Sequence, residues 1–139
     1  MKENVLLENL VKLFDYERIA GAYDADLVVL KENDIDEITY WIDDKTEFEG
    51  SYNHVCAAEQ VNESDFESLS RSLPKIGEAL LKCLEHDFPG KKFDVFVLIR
   101  LHDKAVIRFH QQFDGEAPYY DRNQFVCDPT ARLFEFRSC

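Results

Sequence analysis

The stretch KKFDVFVLIRLHDKAVIRFHQQF, residues 91–113, decides the fold of this chain. Residues 93–101 and 105–111 are rich in β-branched and aromatic residues, and a short polar turn at 102–104 separates them. Because side chains alternate between the two faces of a strand, the inner part of the first run is apolar on both faces. This pattern predicts a β-hairpin whose first strand is central in a sheet.

The sequence around the hairpin predicts helices and further strands. Apolar residues at helical spacing predict a helix over residues 3–18. A longer helical pattern covers residues 63–88, where Pro74 could begin a second piece with Ser72 near its cap. Apolar or alternating runs predict four more strands, at residues 25–30, 36–43, 51–58 and 132–137. We therefore predict one α+β domain, residues 1–139, in which helices pack on one face of an antiparallel sheet.

Composition restricts the kind of partner. The chain has 139 residues, of which 28 are acidic and 16 basic, and its formal net charge is −12. This balance opposes binding to nucleic-acid phosphates, which requires Lys and Arg, and it favours rapid association with a basic partner. No run approaches the roughly 18 apolar residues of a membrane span, and the first residues do not read as a secretory signal. We expect a cytoplasmic protein that binds neither nucleic acid nor membranes.

The negative charge is concentrated in ENDIDEITYWIDDKTEFEG, residues 32–50, which also holds the only tryptophan. Its eight acidic residues are Glu32, Asp34, Asp36, Glu37, Asp43, Asp44, Glu47 and Glu49. Alternation along residues 36–43 places Trp41 on the strand face that carries charge, opposite Ile38, Tyr40 and Ile42. We therefore predict that Trp41 anchors a complex while the carboxylates steer a basic partner towards it. The alternative is that Trp41 packs under a helix and the acids form a solvated rim.

A second candidate contact region is the loop APYYDRNQF, residues 117–125. Paired tyrosines in a loop are good contact residues, so we include Tyr119 and Tyr120 in the predicted partner-binding surface. The alternative is that the two rings cover the core beneath the hairpin.

Few residues are arranged for catalysis or metal binding. The sequence has no GxSxG motif, P-loop or dinucleotide fingerprint, and its four cysteines form no CxxC pair. A hairpin could bring His102 and His110 together with Asp103 as metal ligands, although we expect both histidines to lie on the surface. We predict no catalytic residue, no metal and no cofactor. The alternative is a small metal-dependent hydrolase that uses His102, His110 and nearby acids.

A small acidic α+β domain without catalytic motifs resembles the immunity proteins of bacterial toxin systems, such as contact-dependent growth inhibition. These proteins neutralise a toxin that a neighbouring cell delivers. Residues 73–125, with CLEHDFPG before the hairpin and APYYDRNQF after it, also resemble YezG-like antitoxins. In that group the loop carries a proline and an arginine, as Pro118 and Arg122 do here. A tryptophan commonly follows that arginine, whereas Phe125 stands nearby in this chain.

The charge pattern and the resemblance together predict a non-enzymatic immunity protein. Its partner would be a cognate basic toxin, a nuclease, and the acids would take the place of phosphates in the toxin's binding cleft. The predicted contact residues are the eight acids of residues 32–50 together with Trp41, Tyr119 and Tyr120. An acidic regulatory adaptor is a further alternative.

Overall fold

The computed structural model describes residues 16–20, 26–30 and 44–139 of the chain. In these residues the elements are β1 (Tyr16–Ala20), β2 (Asp26–Leu30), α1 (Lys45–Tyr52), β3 (His54–Ala58), α2 (Glu63–Asp87), β4 (Phe93–Arg100), β5 (Ala105–Gln111), a short 3-10 turn (Arg122–Gln124) and β6 (Ala131–Arg137). The predicted strand at residues 36–43 and most of the predicted helix at residues 3–18 lie outside the described residues.

The predicted hairpin is confirmed. β4 and β5 pair antiparallel from Phe93 opposite Gln111 to Ile99 opposite Ala105. They form the centre of a four-stranded sheet of order β3-β5-β4-β6, in which every pairing is antiparallel. The strands predicted at 25–30 and 132–137 are also present, as β2 and β6. The α+β fold class is therefore confirmed.

The core lies between α2 and one face of this sheet. Alternate residues of β4 and β5 point towards α2, as the period of a strand requires, and they are fully buried with the apolar stripe of that helix. Helix α2 lies close to the sheet at Gly77, where an added Cβ would lie 2.9 Å from Val97 and 3.0 Å from Phe136. Burial of this stripe supplies most of the helix's stability, since helices of this kind depend on packing more than on propensity.

The helix predicted over residues 63–88 is confirmed, and the division that Pro74 could have introduced does not occur. One helix runs from Glu63 to Asp87 with Pro74 inside it, and its N-cap is Asn62, whose side chain accepts from the Asp65 N–H. Ser72 is therefore not a cap, and its hydroxyl donates to the Ser68 carbonyl instead. An internal proline costs about 3 kcal/mol or more. Packing of the residues beside Pro74 against the sheet offsets this cost.

Two further boundaries differ from the predictions. Residues 16–18 belong to β1, which pairs antiparallel with β2, rather than to a helix. Ser51 and Tyr52 complete α1, so the strand predicted at 51–58 begins only at His54. At residues 16–18 the pairing of β1 with β2 decides the local structure, whereas residues 51 and 52 continue α1.

Candidate functional site

Helix α1 is capped by the residue directly before it and by one from a distant loop. The Asp44 carboxylate accepts a hydrogen bond from the Glu47 N–H at 2.9 Å, as expected of an N-cap. The Glu116 carboxylate, from the loop after β5, accepts from the Thr46 N–H at 2.7 Å. Carboxylates at a helix N-terminus are stabilised by the helix dipole. The Glu116 cap therefore fastens the loop to the start of α1.

The tyrosine loop is also fastened to the middle of α1. The Tyr119 ring lies against Gly50, where any side chain would overlap the ring. Arg108, on β5, stacks over the Tyr119 ring with its guanidinium carbon 4.4 Å from the ring centre. The same guanidinium donates to the Gly50 carbonyl and, at 3.0 Å, to the Tyr120 hydroxyl. Arg108 thus joins sheet, loop and helix.

Tyr120 packs on the sheet face opposite α2. Its ring makes edge-to-face contacts with Phe96 at 5.2 Å and with Phe125 at 5.9 Å, and it also meets Tyr119 in this way at 5.0 Å. Such pairs contribute about 0.5–1.5 kcal/mol beyond the burial of their area. Both tyrosines are half-buried. They cover the sheet and keep part of each ring at the surface, so the same two rings can both cover the sheet and contact a partner.

Residues 44–52 and 113–121 therefore form one continuous region, which we call the α1–loop surface. Six of its residues are acidic and only Lys45 is basic. Glu49 is buried and Glu116 caps α1, which leaves four exposed acids, namely Asp44, Glu47, Asp114 and Asp121. Partly exposed aromatic rings lie among them, with Tyr52 38% exposed. Carboxylates around aromatic rings favour binding to a basic protein.

Glu49 corrects the prediction of a uniformly exposed acidic segment, because its side chain is completely buried. Its carboxylate accepts hydrogen bonds from the Val28 N–H at 3.0 Å, the Gln111 N–H at 2.7 Å and the Gln111 side-chain amide at 2.7 Å. Burial raises the pKa of Glu49 to about 7, although the bonds from Gln111 and Val28 and the charge of Lys91 oppose that rise. Glu49 is a structural residue.

Asn53, like Glu49, joins β2 to β5. Its side chain accepts from the Leu30 N–H at 3.0 Å and donates to the Val28 carbonyl at 2.7 Å, and its own carbonyl accepts from the Phe109 N–H. Backbone groups of one residue in an antiparallel strand point to the same side. Glu49 and Asn53 therefore occupy the edge of β2 that faces away from β1, and they tie β2 to β5.

The other predicted acidic contact residues, Glu32, Asp34, Asp36, Glu37 and Asp43, lie outside the described residues, as does Trp41. Their participation stays a prediction. Sequence reasoning did not single out Arg108, Glu116 or Asn53. Arg108 could have been found as a charged residue on a hairpin strand that is otherwise apolar, whereas the caps and amide contacts have no local sequence signal.

The hairpin does not bring together His102 and His110, the two histidines of the alternative metal site. His102 lies in the turn, with a positive φ of 63°, and His110 lies at the far end of β5, opposite Asp94. The length of β5, roughly 20 Å, separates them. His110 is also not on the surface, since it is only 1% exposed. His102 lies in the turn outside the paired strands, whereas His110 is paired with Asp94 at the opposite end of the hairpin.

His110 is a satisfied core histidine. Its Nδ1 lies 2.7 Å from the Gln111 carbonyl, which can only accept, and its Nε2 lies 3.1 Å from the Tyr119 N–H, which can only donate. The ring is therefore the neutral Nδ1–H tautomer. Burial lowers the pKa of His110 below its usual value. The Asp94 carboxylate, 4.0 Å from Nε2, makes no hydrogen bond to the ring.

Asp94 is neutralised by an arginine. Its carboxylate accepts from the Arg137 Nε at 2.7 Å and from the Gln112 side-chain amide at 3.1 Å. The hydrogen bond to Asp94 raises the pKa of Arg137 above its usual value. The two residues line a polar cleft of about 560 Å³ together with Lys91, Lys92 and the loop. The cleft carries charges of both signs, so its charge does not favour one class of ligand.

Within the described residues no group of three or more His, Cys, Asp or Glu side chains could hold a metal ion. None of the helices described is both long enough and apolar enough to cross a membrane. Comparison of the chain with family models, curated proteins and solved structures gave no match. Function must therefore be inferred from the residues themselves.

Proposed function

We propose that this chain is an immunity protein that binds and neutralises a basic toxin, a nuclease, through the α1–loop surface. The observation that supports this proposal is that the acidic helix and the tyrosine loop, about 70 residues apart in sequence, are held together by Glu116 and Arg108. The acidic residues that precede α1 in the sequence, and Trp41 among them, would extend the contact.

Electrostatics would act mainly on the rate of association. The four exposed carboxylates of the α1–loop surface would attract the basic cleft of a nuclease and occupy positions that phosphates otherwise take. The half-buried tyrosines are held by stacking and hydrogen bonds before binding. They would therefore provide contact area with little loss of conformational entropy.

The proposal predicts that a basic nuclease toxin is encoded beside this chain, and that toxin is the partner used in the test. Cells that express the toxin should survive when this chain is co-expressed, and the purified proteins should bind. Raising the salt concentration from low to high should slow association at least about tenfold, because exposed charges are screened over about 8 Å at physiological salt. Absence of protection and of binding would overturn the proposal.

Two variants that each lose four negative charges test which surface attracts the toxin. The first neutralises the four exposed acids with residues that keep the caps, as Asp44→Asn, Glu47→Gln, Asp114→Asn and Asp121→Asn. The second neutralises four exposed acids of α2, as Glu63→Gln, Asp65→Asn, Glu78→Gln and Glu85→Gln. The first should slow association about tenfold and the second by much less. Equal slowing by the two variants would show that net charge, not this surface, steers the toxin.

A further inference from the structure

The turn after β5 contains the only Asp–Gly pair of the sequence, Asp114–Gly115, and the sequence has no Asn–Gly pair. The Glu116 N–H donates to the Phe113 carbonyl at 3.1 Å, which closes a four-residue turn with Asp114 and Gly115 at its centre. The φ of Gly115 is 77°, whereas the φ of Asp114 is negative, as in a type II turn. Glycine adopts a positive φ without steric cost, so the Asp–Gly pair suits this turn.

The tip of this turn is exposed, although both of its ends are attached. Asp114 and Gly115 are exposed, and a Cβ added at Gly115 would meet nothing within 4 Å. Within the part of the chain that the structure describes, the Asp114 carboxylate has no hydrogen bond or ion pair. By contrast, the Gln112 N–H donates to the Lys92 carbonyl at 2.8 Å, and the Glu116 carboxylate caps α1. The tip can therefore change conformation while both ends stay in place.

Asp121, an exposed aspartate of the same loop, differs from Asp114 in two ways. Its carboxylate accepts a hydrogen bond from the Asn123 N–H at 3.0 Å, as the N-cap of the 3-10 turn. It is also followed by Arg122, whereas Asp114 is followed by a glycine, whose backbone nitrogen has no Cβ beside it. A side-chain carboxyl group next to an unhindered backbone nitrogen can close a five-membered ring with it. The structure thus leaves Asp114 free to react in this way and holds Asp121 in place.

We propose that Asp114–Gly115 is a modification site, at which Asp114 becomes isoaspartate through a cyclic succinimide and thereby releases the Glu116 cap of α1. The Gly115 nitrogen attacks Cγ of the protonated Asp114 side chain. The new N–Cγ bond forms as a C–O bond breaks, and the amide proton and the hydroxyl group leave as water. Hydrolysis then returns one water. Cleavage of the Cγ–N bond restores aspartate, whereas cleavage between the nitrogen and the main-chain carbonyl carbon of residue 114 gives isoaspartate. The reaction needs no oxidant and no cofactor.

Isoaspartate changes the turn because the main chain then runs through Cβ and Cγ of residue 114. The path from Phe113 to Glu116 becomes longer by one carbon–carbon bond, about 1.5 Å. The Glu116 carboxylate accepts from the Thr46 N–H at 2.7 Å and from the Lys45 N–H at 3.4 Å, and a displacement of that size removes both bonds. The site lies inside the α1–loop surface. Its chemistry belongs to the chain alone, and only a resulting loss of toxin binding would rest on the proposed function.

The first measurement follows the reaction in the full-length chain. The chain is incubated at physiological pH and temperature for several weeks and then digested with trypsin, which releases residues 109–122 as one peptide with both Asp114 and Asp121. Isoaspartate gives a second chromatographic peak of unchanged mass, and a protein-isoaspartate methyltransferase with labelled S-adenosylmethionine confirms it. Isoaspartate should form at Asp114 at least about tenfold faster than at Asp121. No second peak, or equal rates at the two positions, would overturn the proposal.

A synthetic peptide of residues 109–122 and two variants show whether the turn and its glycine matter. The folded chain should react at a rate within about tenfold of the peptide, because an exposed tip opens at little cost. A slower reaction than that would show that the folded turn prevents ring closure. Asp114→Glu keeps the charge but would need a six-membered ring, so the reaction at this position should stop. Gly115→Ala places a Cβ beside the attacking nitrogen and should slow it at least about fivefold. Undiminished reaction in either variant would overturn the mechanism.

The release of the cap is measured on the isoaspartate form after its separation from the unmodified chain. Hydrogen exchange of the nitrogen-15-labelled proteins is followed by NMR. The Thr46 amide should exchange at least about fivefold faster in the isoaspartate form, because the Glu116 carboxylate no longer protects it. The amide of Leu80, a fully buried residue of α2, is the control and should exchange at the same rate in both forms. Unchanged exchange at Thr46 would overturn the release of the cap. Because no toxin takes part in these measurements, their failure is distinct from failure of the proposed function.

Discussion

Glu49 and Asp94 are both buried carboxylates, with 0% and 1% of their surface exposed, but their surroundings differ. Glu49 is held by three N–H groups that carry no charge, at the junction of β2 and β5. Asp94 is held by the Arg137 guanidinium, whose side chain is 52% exposed. A charge buried among neutral donors depends on all of them, whereas a charge paired with a solvated cation keeps access to the screening of water.

The difference also matters for the proposed function. Glu49 lies in the same short helix as the exposed acids Asp44 and Glu47, but it attaches that helix to the strands instead of facing a partner. A loss of toxin binding after its substitution would therefore come from a displaced α1 and not from a missing charge. Asp94 lies outside the α1–loop surface, on the cleft side of the sheet.

The largest effect should come from Glu49→Ala. It would leave the Val28 N–H and both Gln111 donors without their acceptor in the interior, and each such loss costs about 1–3 kcal/mol. We expect the free energy of unfolding to fall by about 3–5 kcal/mol, measured by urea denaturation. The control is Glu47→Ala, an exposed residue of the same helix, which should change stability by no more than about 0.5 kcal/mol. Similar small losses in both variants would contradict the structural role of Glu49.

The next effect is the pH dependence that Glu49 contributes. Its pKa is about 7 in the folded state against 4.5 for an ordinary carboxyl, so the folded state binds the proton more tightly. The stability it contributes is therefore fully present below about pH 4.5 and is lost as the pH rises through about 7. The total is on the order of 3 kcal/mol, at about 1.4 kcal/mol per pKa unit.

Glu49→Gln keeps the shape of the side chain and removes its titration. The difference in unfolding free energy between parent and variant should therefore decrease steadily from pH 4.5 to 7. His110 contributes the opposite slope, since burial lowers its pKa, but it does so equally in both proteins. A difference that stays flat over this range would show that Glu49 is ionised throughout and that its three donors outweigh burial.

These two carboxylates also show how far the sequence alone reaches. The hairpin, its central strand and the stripe of α2 could be predicted because burial imposes a period on residues 93–111 and 76–84. Asp44 and Glu47 lie exposed and Tyr119 and Tyr120 half-buried, and their role as partner contacts stays a prediction. Glu49 was not distinguished from its acidic neighbours, because its donors come from β2 and from Gln111, 62 residues away.

Other features depend on contacts that no local pattern contains. The joining of α1 to the tyrosine loop requires Glu116 to reach Thr46 and Arg108 to reach Gly50, and both links cross more than 50 residues. The same holds for His110, whose polar type predicts exposure, whereas its neighbours in space satisfy both ring nitrogens. Long-range hydrogen bonds, more than propensities, decide which polar residues of this chain face solvent.

The smallest effect should be the coupling between Asp94 and Arg137. Their hydrogen bond at 2.7 Å joins a buried carboxylate to a guanidinium that water can still solvate, so we expect a coupling of about 1–2 kcal/mol. A double-mutant cycle with Asp94→Asn and Arg137→Gln measures it through unfolding free energies. The exposed pair Arg132 and Glu67, at 2.8 Å, is the matched control and should couple by less than about 1 kcal/mol. Added salt should reduce the control coupling more strongly, because both of its partners are exposed.

If the Asp94 pair couples no more strongly than the surface pair, burial of one partner adds nothing to the coupling energy. The contrast with Glu49 would then reflect only the number of donors each carboxylate receives.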